Sequence, residues 1–271
     1  QWIRRGLQAE GCAWFILGLG SNILASDIGF AGAVIKTSRL GPQKMEEIDS
    51  GRLRTGAGGA ISSLLRRASS SGWGGLEFLA GIPGSVGGVV RMNAGTHLGE
   101  AKDAIVKVEA YDLNGADADL GLTYEDKDLN FCYRGNQFLP EGAVVTAAEW
   151  KFNPESPEAV RARIAETLAR RKVTQPIDYP SCGSVFKNPG PTAGDEGLRS
   201  AWQVVDRLGL RGHRMGDAEI SAKHPNFIIN HGAAQAADVH ALIQLVKTRA
   251  RTELGIELHE EVRFIGSFAS S

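Results

Sequence analysis

The segment from Pro180 to Pro189 carries three side chains that could hold a charged ligand or move a proton. It contains the hydroxyl of Ser184, the ammonium of Lys187 and the amide of Asn188. Gly183 precedes them and allows the backbone to approach a ligand closely, and an Asn-Pro-Gly turn closes the segment. The segment could therefore place polar groups in an apolar wall, although an ordinary strand ending in a turn remains the simpler interpretation.

A second candidate, Glu261, lies in an alternating pattern near the C-terminus. Residues 256–265 predict a strand with one apolar and one polar face. The apolar face comprises Ile256, Leu258, Val262 and Phe264, and the other face comprises Glu257, His259, Glu261, Arg263 and Ile265. The polar face could line a site or could simply be solvated.

Two separate glycine-rich loops could bind the phosphates of a nucleotide through main-chain N–H groups. The first runs from Gly18 to Asn22, and Ile23 stands where a dinucleotide fingerprint of the Rossmann type needs glycine or alanine. The second runs from Ala80 to Gly88, and the segment from Met92 to Gly95 follows it. Two such loops suit a long ligand such as FAD, while tight turns between strands remain an alternative.

The composition is that of a soluble globular protein with a sizeable core. The chain has 271 residues, of which 42% are hydrophobic and 23% charged, and its net charge of −1 argues against nucleic acid or an anionic membrane as a partner. Its three cysteines form no CxxC pair, so we predict neither a metal site nor disulfides. Such low cysteine use also predicts that the protein works in a reducing cytoplasm. Cys182 is more simply interpreted as a buried thiol than as a nucleophile.

The predicted elements mix strands and helices without a strict βαβ order, which favours the α+β class. If residues 183–187 are extended, Ser184 and Phe186 share one face, and Val185 and Lys187 share the other. Glycine at 72 and proline at 157 mark a helix end and a helix start, and Asp238 is the predicted cap of the last helix. The predicted strands are 13–18, 104–112, 143–152, 227–229 and 256–265, and the predicted helices are 60–71, 157–172, 198–208 and 238–255.

Seven motifs, taken together and in this order, closely resemble the UDP-N-acetylenolpyruvoylglucosamine reductase (MurB) family over nearly the whole chain. The most specific are Gly-Ser-Val-Phe-Lys-Asn-Pro at 183–189 and Glu-Val-Arg-Phe-Ile-Gly at 261–266. The others are the two glycine loops, Met92–Gly95, Tyr133-Arg134 and Lys223–Asn230.

The resemblance implies an FAD-binding fold of the vanillyl-alcohol-oxidase/PCMH type. Two lobes would bind FAD non-covalently, formed by residues 1–174 and completed by residues 255–271, and a smaller α+β domain, residues 175–254, would bind the substrate. The family's N-terminal Thr-Phe and Gly-Gly motifs are not found before the first loop, so we expect an incomplete first lobe. The shorter subtype, which lacks the tyrosine loop, is indicated by Tyr-Pro-Ser-Cys-Gly-Ser at 179–184.

The resemblance also implies the roles of individual residues. Ser184 would be the proton donor, with Glu261 and Arg134 as the other catalytic residues. Substrate binding is implied for Tyr133, Lys187, Asn188, His224 and Asn226. Cofactor binding is implied for Gly18, Leu19, Gly20, Ser21, Asn22, Ile82, Pro83, Gly84, Ser85, Gly87, Gly88, Asn93, Ala94 and Gly95.

The function implied is the NADPH-dependent reduction of the enolpyruvyl group of a UDP-sugar in peptidoglycan precursor synthesis, by a cytoplasmic monomer. Two alternatives remain open at this point. One is a flavin oxidase of the same fold acting on another substrate, and the other is a non-catalytic protein that binds sugar nucleotides.

Overall fold

The computed structural model describes Gly6 and residues 11–40, 45–115, 121–190 and 197–268. The chain divides into two compact units: unit 1 comprises residues 1–19 and 32–170, and unit 2 comprises residues 20–31 and 171–271. Residues 255–271 thus group with the rest of unit 2, whereas the resemblance assigns them to the cofactor region. The functional roles of the predicted domains stay a prediction.

Short strands dominate the described residues. The strands are β1 (Trp14–Leu17), β2 (Ile23–Ala25), β3 (Ala33–Lys36), β4 (Glu46–Asp49), β5 (Arg52–Gly56), β6 (Trp73–Gly74), β7 (Gly95–Thr96), β8 (Gly99–Glu100), β9 (Ile105–Asp112), β10 (Gly121–Glu125), β11 (Phe131–Cys132), β12 (Gly135–Asn136), β13 (Ala143–Lys151), β14 (Asn153–Pro154), β15 (Ser181–Ser184), β16 (Arg214–Met215), β17 (Ala218–Ile220), β18 (Phe227–Asn230) and β19 (Arg263–Ile265). The α-helices are α1 (Ile61–Ser71), α2 (Val86–Met92), α3 (Pro157–Thr174), α4 (Ala201–Arg207) and α5 (Ala236–Leu254).

Unit 1 is built around a five-stranded antiparallel sheet in the order β10-β9-β13-β5-β4. Trp150 of β13 is fully buried, and its indole Nε1 donates a hydrogen bond to Thr55 Oγ1 of β5 at 2.7 Å. Helix α1 buries Ile61 and Leu64, and Gly72 ends it with a positive φ of 71°. The predicted helix and the predicted strands 104–112 and 143–152 are confirmed.

Unit 2 is built around a four-stranded antiparallel sheet in the order β15-β18-β17-β16. Helices α4 and α5 contribute to its core, in which Val205, Leu242 and Ile243 are fully buried. Antiparallel sheets with helices, and no βαβ series in either sheet, confirm the α+β prediction.

Residues 20–31 are bonded into unit 2 along their length. Strand β2 pairs in parallel with β19, and Ser26 N donates to Ile265 O at 2.8 Å. The carboxylate of Asp27 accepts the N–H groups of Ala236 and Ala237, at 2.7 and 2.9 Å, at the start of α5. Because a helix start favours negative charge, this contact stabilises the segment that follows the first glycine loop.

Three predictions about the elements of unit 2 need correction. Residues 183–187 do not alternate regularly, because Gly183 has a φ of 81° and the β15–β18 pairing shifts between Ser181 and Ser184. Asp238 is the third residue of α5, and its carboxylate accepts the N–H of the capping residue Gln235. The last strand is limited to β19, although residues 256, 258 and 262 are buried as predicted.

Candidate active site

Ser184 ends β15 at a half-buried position where the strand geometry changes. The two residues that follow, Val185 and Phe186, are both buried in the core of unit 2, at 1% and 2% exposure. Gly183, directly before Ser184, has a positive φ of 81°, and the β15–β18 register shifts between Ser181 and Ser184. The local chain is therefore fixed by its flanking core residues and not by strand pairing alone.

Asn226, predicted to bind substrate, holds the main chain beside Ser184. Its Oδ1 accepts the N–H of Phe186 at 2.9 Å, and its Nδ2 donates to Phe186 O at 2.9 Å. The amide is buried, at 6% exposure. Both main-chain groups of Phe186 are thus satisfied by one side chain, which gives Asn226 a structural role whatever its part in binding.

Glu261 lies directly beside the segment of Ser184 in unit 2. The main-chain N–H of Glu261 donates to Val185 O at 2.8 Å. On the other side, Asn22 Nδ2 donates to the carbonyl oxygen of Glu261 at 2.9 Å. The structure therefore brings two predicted catalytic residues and one residue of the first glycine loop together.

Lys187 and Asn188, the two residues after Phe186, are also hydrogen-bonded within unit 2. Lys187 N donates to His259 O at 2.9 Å, and the adjacent Glu260 forms an ion pair with Lys247 Nζ at 2.6 Å. Asn188 Oδ1 accepts the N–H of Ala201 at 3.0 Å, at the start of α4. These bonds anchor the C-terminal end of the Ser184 segment to the body of unit 2.

His224 belongs to a group of buried polar atoms that lack hydrogen-bond partners. Within unit 2, as far as it is described, these atoms are His224 Nδ1, Arg171 Nε and Gln175 Oε1. Burial lowers the pKa of His224, and the charges of Arg211 and Arg171 lower it further. Such atoms are uncommon in folded proteins and indicate a place where a polar ligand or water completes the bonding. No ligand contact was predicted from the sequence for Arg171, which lies in the predicted helix 157–172, or for Gln175, which follows it.

Arg134, in unit 1, sits in a strained turn between β11 and β12. Its φ is 53°, and its guanidinium stacks on the Tyr133 ring with 5.0 Å between the guanidinium carbon and the ring centroid. Its Nη2 donates to Gly95 O at 3.3 Å, and its Nη1 lies 3.8 Å from Glu100 Oε1. The guanidinium is thereby held by aromatic, carbonyl and carboxylate groups of the same unit.

Asn93 was predicted to bind the cofactor, and it is fully buried. It ends α2 with a positive φ of 42°. Its Nδ2 donates to Cys132 O at 3.0 Å and to Glu100 Oε2 at 3.1 Å, and its Oδ1 accepts the N–H of Lys102 at 3.0 Å. Asn93 therefore braces the turn that carries Arg134, and Ala94 and Gly95 follow it in the same segment.

Gly18, the first residue of the first glycine loop, lies against the second loop inside unit 1. A Cβ atom added to Gly18 would lie 2.5 Å from Ser85 Oγ, so a side chain at residue 18 would displace the Ser85 hydroxyl. Ser85 is itself buried and caps α2 by accepting the N–H of Gly88 at 3.3 Å. Gly84 has a φ of 144°, a conformation available to glycine alone.

This arrangement fits the pyrophosphate of FAD, because two main-chain surfaces without side chains lie next to each other. Gly18, residues 82–84 and Gly88 would hold the cofactor in unit 1, and the exposed side chain of Leu19 follows Gly18. The start of α2 is already satisfied internally, since the N–H groups of Val86 and Gly87 donate to Gly59 O and Ala57 O. Gly20 and Ser21 belong to unit 2, where Gly20 has a φ of 76°.

Two remaining observations concern the class of protein. Cys182 is buried, which confirms the prediction of a buried thiol, and burial raises its pKa to about 11. None of the described helices combines the length and the apolar composition needed to cross a bilayer.

Comparisons with known proteins agree along the whole chain. Residues 4–120 match the FAD binding domain model, and residues 175–265 match the model of the UDP-N-acetylenolpyruvoylglucosamine reductase C-terminal domain. The chain is 38% identical to UDP-N-acetylenolpyruvoylglucosamine reductase of Heliobacterium modesticaldum, over 97% of this chain and 80% of that protein. It is 41% identical to the enzyme of the same name from Sphingopyxis alaskensis, over 92% and 79%.

A solved structure supports the same assignment. MurB from Thermus caldophilus superposes with a TM-score of 0.75 at 37% identity, covering 97% of this chain and 89% of that one. The FAD-binding fold and the FAD cofactor predicted from the sequence are confirmed. The chain belongs to the UDP-N-acetylenolpyruvoylglucosamine reductase family of FAD-dependent oxidoreductases.

Proposed function

We propose that this protein reduces UDP-N-acetylglucosamine enolpyruvate to UDP-N-acetylmuramate, with NADPH as hydride source, in peptidoglycan precursor synthesis. The observation that carries the proposal is the direct hydrogen bond between the segments of Ser184 and Glu261 within unit 2. It supports a site at which a hydroxyl and a carboxyl act on one substrate. We expect the protein to work in the cytoplasm as a monomer.

The reaction needs a proton at one carbon of the enolpyruvyl group. When bound, FAD would supply the hydride that adds to the neighbouring methylene carbon. Ser184 Oγ–H would then donate its proton to the carbon that bears the carboxylate, and the hydroxyl would be restored from solvent. The Lys187 ammonium, three residues along the chain, would favour the loss of this proton.

Negative charge develops on the substrate carboxylate during hydride addition, and Arg134 is suited to stabilise it. A guanidinium offers several N–H donors in a fixed plane. The contacts of Arg134 with Tyr133, Gly95 and Glu100 hold it in place before the substrate binds, and preorganised charge is the most effective kind in catalysis. Glu261, when protonated, would donate a hydrogen bond to the enol oxygen.

The nucleotide portion of the substrate would bind unit 2 near His224. The charges of Arg171 and Arg211 act on His224 and lower its pKa, which favours the neutral imidazole. A UDP-sugar supplies phosphate oxygens that accept hydrogen bonds from guanidinium and imidazole N–H groups. The buried Arg171 Nε and Gln175 Oε1 without partners support a polar ligand at this place.

Anaerobic stopped-flow absorbance of the FAD-loaded enzyme tests the proposal. NADPH should reduce the flavin, the enolpyruvyl nucleotide should reoxidise it, and mass spectrometry should detect the lactyl product. Ser184→Ala should slow only reoxidation, by about 10²- to 10⁴-fold. Ser181→Ala removes a hydroxyl from the same strand and should leave both steps unchanged.

Two results would contradict the proposal. If oxygen but not the enolpyruvyl nucleotide reoxidises the flavin, the protein is an oxidase acting on another substrate. If the purified protein binds the nucleotide but no FAD, it is a binding protein.

A further inference from the structure

The main chain at Glu261 lies just outside regular strand pairing. The register of β2 and β19 begins at Ile23 and Arg263, so Glu261 precedes the first paired residue. Its carbonyl oxygen is instead bonded to the side-chain amide of Asn22, at a distance of 2.9 Å. The main-chain oxygen of Asn22 in turn accepts the N–H of Arg263 at 3.1 Å.

Asn22 thus extends the β2–β19 pairing past the end of the strands. Its side chain supplies the donor that a main-chain N–H would supply in a longer ladder. Glu261 is then held from both sides, since its own N–H donates to Val185 O at 2.8 Å. The direction of the Glu261 carboxylate depends on this short main-chain stretch, because the side chain leaves from it.

We propose that Asn22 is a positioning residue for Glu261 and acts through the hydrogen bond from its amide to the Glu261 carbonyl. This inference rests on the proposed catalytic role of Glu261. Asn22 belongs to the first glycine loop, so one side chain links the loop that holds the cofactor to the carboxylate that acts on the substrate. Ser21 O, the preceding carbonyl, lies 3.3 Å from the position a Cβ atom would take at Gly183, beside Ser184.

The test compares two variants of Asn22 with a matched control. Asn22→Ala removes the amide, and Asn22→Asp keeps its shape but replaces the donor with an acceptor. The control is Ser26→Ala, because Ser26 lies one residue beyond β2 and Ser26 Oγ donates to Ser267 O at 2.7 Å, away from Glu261. Each protein is loaded with FAD, and its flavin content is measured before kinetics.

The amide nitrogen of Asn22 is bonded to Glu261 O, so we assign this side chain to positioning and not to the cofactor. We therefore expect Asn22→Ala to bind FAD and to be reduced by NADPH as the wild type is. Its reoxidation by the enolpyruvyl nucleotide should slow by roughly 10- to 100-fold, the loss expected when a catalytic group is misplaced. The effect should appear in the limiting rate and not in the substrate concentration at half-saturation. Ser26→Ala should show no change in either step.

The pH dependence of Asn22→Asp distinguishes a role of this hydrogen bond in positioning from a purely structural role of the side chain. A carboxylate cannot donate to the Glu261 carbonyl, but a protonated carboxyl group can. The reoxidation rate of Asn22→Asp, divided by that of Asn22→Ala at the same pH, should therefore rise as the pH is lowered. A ratio independent of pH would refute the role of the hydrogen bond.

Hydrogen exchange of the protein without cofactor gives an independent measurement. Peptides covering residues 258–265 should exchange faster in Asn22→Ala than in the wild type or in Ser26→Ala. Unchanged exchange there would show that the bond does not hold this stretch and would overturn the inference.

Glu261→Gln separates failure of this inference from failure of the proposed function. If Glu261→Gln is slow in reoxidation and Asn22→Ala is not, the inference about Asn22 is wrong and the proposed function stands. If Glu261→Gln reoxidises at the wild-type rate, the proposed site itself is wrong. If Asn22→Ala loses FAD, Asn22 acts on the cofactor and the inference is overturned.

Discussion

Replacing Asn226 by alanine should destabilise unit 2 far more than the loss of an ordinary surface amide. The substitution removes both partners of the Phe186 main chain, an N–H and a carbonyl group bonded at 2.9 Å each, from a residue that is 2% exposed. Leaving a buried polar group without its partner costs about 1–3 kcal/mol. The free energy of unfolding should therefore fall by roughly 2–6 kcal/mol, a large part of the stability of a typical domain.

Asn230→Ala is the matched control for Asn226→Ala. Asn230 ends the same strand, β18, and its Oδ1 also takes part in two hydrogen bonds, from Gly232 N at 2.7 Å and Ala234 N at 3.0 Å. Water can replace these partners because this turn is at the surface, so the loss should be near 1 kcal/mol. Urea unfolding followed by circular dichroism measures both. Equal losses, or a normally stable Asn226→Ala enzyme with weaker substrate binding alone, would refute the reasoning.

Three further predictions follow from burial and close contact. Burial lowers the pKa of His224 below its ordinary 6.5, so the stability contributed by the neutral imidazole is present above pH 6.5 and is lost as the pH falls through the lowered pKa. In urea unfolding, the free energy of unfolding should therefore fall more steeply with decreasing pH for the wild type than for His224→Asn. The same pH dependence in both proteins would contradict this. A thiol reagent should label exposed Cys132 quickly but Cys182, with its pKa raised to about 11, only on unfolding, as peptide mass spectrometry would show; equal rates would contradict it. The side chain introduced by Gly18→Val should clash with Ser85 and reduce the flavin absorbance of the purified protein. An absorbance equal to that of the wild type would show that the glycine loop at residue 18 does not bind FAD.

Elements whose burial is periodic were predictable from the sequence. Helix α1 buries Ile61, Leu64, Leu65 and Ala68, and Gly72 ends it, because burial on one side of a helix imposes a fixed spacing. Strands β9 and β13 were found in the same way. The spacing fails at Val185 and Phe186, two successive buried side chains that follow a glycine with positive φ. The φ angle of a glycine cannot be inferred from its presence in the sequence.

Contacts between segments that are distant in the sequence could not be predicted from local sequence patterns. Asn22 and Glu261 are 239 positions apart and meet through a single hydrogen bond. Neither residue carries a local signal for the other, so only the resemblance to a family placed both in one site. The same limit applies to Arg171 and Gln175, whose buried polar atoms are recognisable only when their surroundings are known.

The predicted catalytic residues share one structural feature: each lies beside a main-chain group that accepts a hydrogen bond from an asparagine amide. The amides belong to Asn22, bonded at Glu261 itself, to Asn93, bonded at Cys132 two residues before Arg134, and to Asn226, bonded at Phe186 two residues after Ser184. All three asparagines had been assigned to ligands from the sequence.

Regular pairing is interrupted at each of these places. Gly183 and Arg134 have positive φ values, and Glu261 precedes its strand, so the pairing of the main chain is irregular there. A short side chain with both a donor and an acceptor replaces the missing partner and loses little conformational freedom. Irregular backbone lets a catalytic side chain leave the sheet, and the buried amide keeps that backbone fixed. Substitution of any of the three asparagines should therefore affect turnover through geometry, even where the amide never contacts a ligand.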